Sequence, residues 1–307
     1  MKPPRRSSTQ TLPERPAVHR LVTPTPNVLP SSLQVSIVTY RPDSRLLERT
    51  LRKLSLAIAA AREDRVLRTV HVALIDNSED PIVAKRVQEL GRVRFQDSGT
   101  HLICLHGHAN IGYGAAHNLV LHGTGSDYHL VLNPDVELAI DALSNAVRWL
   151  DAHPEVGALA PAVFDSEGRR QHLCKRYPAV FNLFLRGFAP SPVKRMFRRR
   201  LARYEMQDIT GVDPPKEVIG VPAMSGAFML VRRDAIDRTG GFDPRFFLYF
   251  EDFDWSVRLN RITRTAFVPE VSVVHHGGHA AAKGWRHVVW FVRSGARFYR
   301  KHGWRWF

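Results

Sequence analysis

Cysteine is scarce: Cys104 and Cys174 are the two in 307 residues, too few for a disulfide framework or a four-cysteine zinc site. No stretch approaches the roughly 18 to 20 uninterrupted apolar residues that a membrane-spanning helix needs, and no signal-peptide pattern is read at the start. The expectation is a protein of the reducing cytoplasm. Acidic residues are also in deficit, 29 against 44 Lys and Arg, which gives a formal net charge of +15. That excess is local. Residues 1–34 carry +4, residues 171–205 carry +8 and residues 283–307 carry +7, which leaves the remainder at −4. A nucleic-acid binder basic over its whole surface has a different distribution, so no nucleic-acid partner is expected.

What is present is a folded chain, 44% hydrophobic with 9% aromatic residues, long enough to bury a large core. Residues 1–33 are the exception. Pro3, Pro4, Pro13, Pro16, Pro24, Pro26 and Pro30 stand among Ser, Thr and Arg, with too little apolar content to form a core. They are expected to be a disordered basic leader. From residue 34 a β-branched run through Val35, Ile37 and Val38 reads as a strand. Leu47, Leu51, Leu54 and Ile58 then recur at spacings of four, three and four and predict a helix. Strands at Val70 to Ile75, Leu102 to Leu105 and Tyr128 to Leu132 alternate with helices at Pro81 to Leu90 and about Gly114 to His122. Such alternation predicts an α/β fold with a mostly parallel sheet flanked by helices.

Ligands of such sheets bind beyond the carboxyl ends of the strands. The residues there are polar: Thr39 and Tyr40 after the first strand, Asp76 and Asn77 after the second, Asn110, Gly112 and Gly114 after the third, Asn133, Pro134 and Asp135 after the fourth. Each group has a plain reading as a turn. Their common destination is a single cleft. The second half contributes a small-residue turn, Met224-Ser225-Gly226, entering a strand, with a helix from about Arg233. It also holds the run from Phe246 to Trp255 containing Glu251 and Asp252, strands at Thr265 to Val268 and Val271 to His276, and a closing basic helix. Glu251 and Asp252 can be the negative first turn of a helix; their apolar setting also raises proton affinity, which suits a base.

The ordered set VSIVTYRPD, ALIDNSED, GHANIGYGAAHN, LVLNPDVEL, MSGAFMLVRRDAIDRTGGFDPRFFLYFEDFDW and VSVVHHGG, over about residues 34 to 280, resembles family 2 of the inverting glycosyltransferases, in its bacterial rhamnosyltransferase-like branch. The resemblance implies a single GT-A domain over 34–282, with a nucleotide-binding half at 34–140 and an acceptor and catalytic half at 141–282. A basic, aromatic helix over 283–307 closes the chain. It further implies that Thr39, Tyr40, Asp76, Asn110, Gly112, Asn133, Ser225 and Gly226 bind the nucleotide-sugar donor. Asp252 would be the general base, with Glu251 orienting the acceptor. Asp135 and His275 would hold a divalent Mg2+ or Mn2+, His276 being the alternative. Asn133 departs from the family pattern, standing where the first carboxylate of a D-x-D metal motif would be.

The resemblance implies dTDP-rhamnose as the donor, with a UDP-linked galactofuranose, glucose or N-acetylhexosamine as the other reading. It also implies a glycan or a lipid-diphosphate-linked sugar as the acceptor. A dinucleotide oxidoreductase is disfavoured because no complete G-x-G-x-x-G follows the first strand. The segment from Pro192 to Met206 and the C-terminal stretch mix basic with apolar residues at helical spacing. They predict attachment to an anionic membrane surface, peripheral and on its inner face.

Overall fold

The computed structural model describes residues 29–123, 125–213, 215–277 and 284–307. In its first half β1 (Ser31–Thr39), α1 (Ser44–Glu63), β2 (Leu67–Asp76), α2 (Pro81–Phe95), β3 (His101–Leu105), α3 (Tyr113–Leu121) and β4 (Tyr128–Leu132) alternate as the apolar pattern predicts. Then come β5 (Val136–Leu138), α4 (Ala142–Ala152), β6 (Val156–Phe164) and β7 (Arg170–Gln171), followed by α5 (Val180–Phe188), α6 (Ser191–Met196), α7 (Arg198–Tyr204) and α8 (Gln207–Thr210). The chain continues through β8 (Val218–Ile219), β9 (Phe228–Arg232), α9 (Arg233–Thr239), α10 (Glu251–Leu259), β10 (Arg264–His275) and α11 (Trp285–His302).

Local chemistry sets these boundaries. The carboxylate of Asp43 caps α1 by accepting the amides of Arg45 and Leu46 at 2.8 and 3.1 Å, and Asp80 does the same for Ile82 at the start of α2, where Pro81 occupies the first turn. Leu47, Leu51, Leu54 and Ile58 are all buried, each contributing about 1.5–3 kcal/mol of burial free energy.

The sheet order is β3-β2-β1-β4-β9-β6-β10-β5. β3, β2, β1 and β4 are parallel, as are β6 and β10, while β9 runs antiparallel between β4 and β6 and β5 runs antiparallel beside β10. The parallel core of the sequence reading is present, with antiparallel strands joining its two parts into a mixed sheet. Three expectations on the course of the chain are corrected. The strand expected at residue 34 starts at Ser31, so residues 31–33 of the expected leader are strand, and residues 1–28 lie outside the described part. The separate strands at 265–268 and 271–276 are one strand with a register shift between Val268 and Ser272. The single helix expected over 192–206 breaks at Phe197, whose ring meets Phe181 edge-on at 5.3 Å; the break carries Tyr204 into the interior.

Beneath α3 the sheet buries a polar cluster. The Ser36 hydroxyl lies 2.6 Å from His117 Nδ1 and 2.7 Å from His129 Nε2. Burial holds the His117 ring down at about 3 and the His129 ring well below the ordinary imidazole range. In the unfolded chain both take up a proton near pH 6.5. Folding below that pH must therefore remove protons, and stability falls as acidity increases from 6.5 towards 3. The His117 shift alone costs about 2 kcal/mol at pH 5. Thermal unfolding between pH 7 and 5 should show a steeper loss for the wild type than for His117→Gln; equal slopes would overturn this account.

Candidate active site

The register between β1 and β2 sets Thr39 beside Asp76 at the carboxyl edge. The Asp76 carboxylate is buried and accepts hydrogen bonds from the Thr39 hydroxyl at 2.8 Å and the Ser78 hydroxyl at 2.6 Å through the same Oδ1. Asn77 donates through Nδ2 to the Gly112 carbonyl at 3.1 Å, which ties the second strand end to the third. Asn110 turns its side chain inward to accept the Gly112 amide at 3.1 Å. Gly112 has φ 91°, and a Cβ there would collide with the Phe247 carbonyl oxygen. Only glycine fits that left-handed position. It lets the Tyr113 amide donate to that carbonyl at 2.9 Å, so the loop before α3 rests directly on the segment leading to α10. Tyr40 is half exposed, with Arg41 over its ring at 5.6 Å.

Tyr113 is the residue the sequence reading did not single out. Its hydroxyl lies 2.9 Å from Asn133 Oδ1 and 2.8 Å from the Gly226 carbonyl. Burial raises the phenol well above its ordinary value, and the neighbouring carboxyls, Glu251, Asp252 and Asp135, raise it further when ionised. One side chain thus stands among three of the four candidate carboxylates, Asp135, Glu251 and Asp252. The available signal was an aromatic ring with a polar tip placed directly after a glycine turn, where a purely packing role would be served by Phe.

The antiparallel strand β9 delivers the small-residue turn. The Ala227 carbonyl accepts the Asn133 amide at 3.0 Å, and the Gly226 amide donates to Asp252 Oδ2 at 3.0 Å. Ser225 accepts the Ala227 amide at 3.3 Å. Met224, Ser225 and Gly226 therefore form a wall whose backbone grips the expected base. Asp252 and Glu251 open α10, and the two residues before them, Tyr249 and Phe250, have φ 70° and 65°. Two consecutive left-handed residues without glycine cost on the order of 1–3 kcal/mol each. That strain is held by α11: Phe250 packs on Phe291 and Phe298, Ser294 donates to the Leu248 carbonyl at 2.8 Å, and the Tyr249 hydroxyl lies 2.8 Å from His287 Nδ1. His302 Nε2 and Lys301 Nζ each lie 2.7 Å from Asp254 Oδ1, two residues beyond Asp252. The C-terminal helix thus packs directly on the turn that carries Glu251 and Asp252.

The two carboxyls are not equivalent. Burial first, and then the charge of Asp252, push Glu251 well above the usual carboxylate range, and its Oε2 is buried without a hydrogen-bond partner among the described residues. Burial also raises Asp252, but the Gly226 and Phe253 amides pull it back. Burial therefore favours the proton on Glu251 more strongly than on Asp252, which two backbone amides help to ionise. A carboxyl raised on folding has its full stability below its unfolded pKa and loses it as pH rises through the folded value. Glu251→Gln removes that loss. The variant should melt above the wild type at neutral pH, with the gain shrinking near pH 4, while transfer falls. A melting temperature at neutral pH no higher than the wild type would contradict the assignment.

Asp135 and His275 lie far apart in sequence and meet through the pairing of β5 with β10, in which His275 faces Val136. His275 Nε2 is 3.5 Å from Asp135 Oδ1. A Cβ on Gly277 would collide with Asp135 Oδ2 and stand 2.9 Å from His275 Nε2, so both side chains crowd the space that this glycine leaves open. His276 points elsewhere, with Nε2 2.6 Å from Glu137 Oε1, which Arg49 also pairs at 2.7 Å. One carboxylate and one imidazole suit Mn2+ and are tolerated by Mg2+, so the residues fit the expected metal. Among the described residues no group of three or more His, Cys, Asp or Glu converges; remaining ligands would have to come from diphosphate oxygens and water.

The fold recurs in known proteins. Solved structures that share the fold are a mannosyltransferase from Pyrobaculum calidifontis in complex with GDP-Man and Mn2+ (TM-score 0.55, 18% identity, 87% of this chain) and GalNAc-T7 with UDP, GalNAc and Mn2+ (TM-score 0.57, 14% identity, 88% of this chain). The match spans 65% and 48% of those two chains. An N-acetylglucosaminyl-diphospho-decaprenol L-rhamnosyltransferase of Mycobacterium tuberculosis is 32% identical over 270 residues, covering 82% of this chain and 78% of its own. A rhamnosyltransferase of Escherichia coli, WbbL, is 26% identical over 156 residues, half of this chain and 53% of its own. The family model described as glycosyltransferase like family 2 matches residues 30–289, from the first strand to the start of α11. With the polar strand ends, the carboxylate pair and the GT-A architecture in place, this match makes the chain a member of glycosyltransferase family 2.

Proposed function

We propose that the protein is an inverting, metal-dependent rhamnosyltransferase that moves rhamnose from dTDP-rhamnose to a hydroxyl of a lipid-diphosphate-linked glycan. The observation that carries the reading is the contact of Asp252 Oδ2 with the Gly226 amide, because it aims a partly buried carboxylate across the donor-side wall. The relatives that transfer rhamnose support the sugar. A metal held by Asp135, His275 and the donor diphosphate would neutralise the charge that develops on the leaving group.

The steps of the protein's own residues follow. Asp76, with Thr39 and Ser78 fixing its Oδ1, holds the base of the nucleotide, while Tyr40 and Asn110 flank it and the Gly112 turn approaches the donor closely. Asn133 and Tyr113 brace the wall formed by Ser225 and Gly226 against the sugar. Neutral Glu251 donates a hydrogen bond to the acceptor. Asp252 takes the proton of the attacking hydroxyl as the new bond forms at the anomeric carbon from the face opposite the nucleotide. The bond to the diphosphate breaks, its electron pair leaves with the nucleotide, and no covalent sugar intermediate forms. The acceptor side of the reaction lies at an anionic membrane surface, which the protein meets peripherally on the cytoplasmic face. Among the described residues no helix is long and apolar enough to cross a membrane.

Thermal stabilisation by dTDP, UDP and GDP, each with and without Mn2+ or Mg2+, tests the donor, since a ligand selective for the folded state raises Tm. The expected result is a metal-dependent rise with dTDP. A rise with UDP alone would retain the family and replace the sugar.

A further inference from the structure

Outside the catalytic cleft, one region concentrates uncompensated charge. A groove of about 660 Å3 runs between α11 and the segment before the catalytic turn, lined by Arg245, Val292, Arg293, Ala296, Arg297, Arg300 and Lys301. Two of the five cations are neutralised locally: Arg245 and Lys301 share Asp243, at 2.6 and 2.7 Å, and Lys301 also meets Asp254. Arg293, Arg297 and Arg300 have no carboxylate within ion-pairing distance among the described residues. Their spacings of four and three put them on one face of the helix. Arg297 is held in place, donating to the Arg245 carbonyl with its guanidinium 6.0 Å from the centre of the Phe246 ring.

The dipole of α11 accounts for basic residues in its last turn, Arg300 and Lys301. It does not account for Arg293, two turns earlier. Three adjacent guanidinium groups repel one another and gain most from a shared polyanion, which their planar forks bind in bidentate fashion. Beside this row the same helix exposes Trp285, Val288, Val289 and Val292, spaced to form an apolar stripe. A ligand that carries phosphate next to hydrocarbon matches both faces.

We propose that this groove is a phosphate-binding site, distinct from the donor site, that takes the phosphate of a lipid-borne molecule. The phosphate belongs either to an anionic headgroup or to the diphosphate of the acceptor; only the second source rests on the transferase reading above.

The test uses the full chain and the double variant Arg293→Gln/Arg300→Gln, both exposed positions outside the catalytic machinery. Its charge-matched control is Arg52→Gln/Arg238→Gln on α1 and α9. With a chelator present to silence metal-dependent nucleotide binding, titration with inorganic diphosphate should be about tenfold weaker for the groove variant than for the control. Equal affinities, or no binding by the wild type, would overturn the site, and neither result bears on sugar transfer. The source is then read from two arms. Loss of sedimentation with phosphatidylglycerol vesicles, relative to phosphatidylcholine, assigns the headgroup. Unchanged sedimentation with a raised KM for a short-chain diphosphate-linked acceptor, and unchanged kcat, assigns the acceptor.

Discussion

Asp252→Asn is expected to lower the rate of sugar transfer by about two to four orders of magnitude, the range that a positioned general base contributes. Asparagine is nearly isosteric with aspartate, and its single amide oxygen can still accept one of the two amides that the carboxylate holds, Gly226 at Oδ2 (3.0 Å) or Phe253 at Oδ1 (2.8 Å). The turn keeps one of its two tethers to this side chain, and what disappears with the charge is the capacity to take a proton. Nucleotide binding should be unchanged because Asp76 and the Gly112 loop lie on other strand ends. The loss should appear in kcat with little change in the donor KM, which separates chemistry from ground-state binding. A single-turnover assay with saturating donor reads this directly. Transfer at the wild-type rate would remove Asp252 from the base role, and a parallel rise in donor KM would mean that the wall, not the base, had been damaged. Burial raises the Asp252 carboxyl, so the wild-type rate should fall on acidification at a pH above the ordinary aspartate range, and the variant's residual rate should lack that limb.

The contrast between the halves of the site explains how much of it could be read from the chain. Thr39, Asp76, Asn110 and Asn133 follow strands whose β-branched runs are unmistakable, and a parallel sheet sends every strand end to the same edge; their convergence follows from topology alone. Asp135 and His275 are a different case. Their approach depends on β5 pairing antiparallel with β10, a three-residue strand too short to leave a periodic signal. Resemblance to a known family named the pair, but nothing in the spacing decided between His275 and His276. The ion pair of His276 with Glu137, itself shared with Arg49, distinguishes them by geometry.

The C-terminal helix shows the opposite limit. Its amphipathic pattern predicts a buried face and suggests a membrane surface; one face packs on Phe250, Asp254 and Leu248, while Trp285, Val288, Val289 and Val292 remain exposed. Periodicity identifies a face to be buried and carries no information about the partner. The same gap hid Tyr113, whose ring reads as core and whose hydroxyl has work at the centre of the site. The strain at Tyr249 and Phe250 was equally illegible, since no local sequence preference favours left-handed aromatics.

The largest effect after loss of the proposed base is expected at the proposed metal pair, Asp135 and His275. Asp135→Asn, His275→Ala and Gly277→Ala approach it in three different ways: the first removes the charge, the second removes the nitrogen ligand, and the third leaves both ligands and fills the space between them with a methyl group. A divalent ion on the departing diphosphate stabilises several kcal/mol of developing charge, so each change should cost roughly a thousandfold in rate at fixed metal. Activity alone would not distinguish a metal site from general damage. Mn2+ binding followed by its paramagnetic resonance does, because two protein ligands are too few to hold the ion tightly without the nucleotide. Wild-type protein should bind Mn2+ weakly alone and much more tightly with dTDP, and all three variants should lose that cooperativity while keeping their melting temperature. Gly277→Ala is the decisive member of the set. It deletes no ligand, so intact cooperative binding in that variant would mean that the ion is held away from the gap between Asp135 and His275, and the leaving-group role assigned to this pair would fall with it.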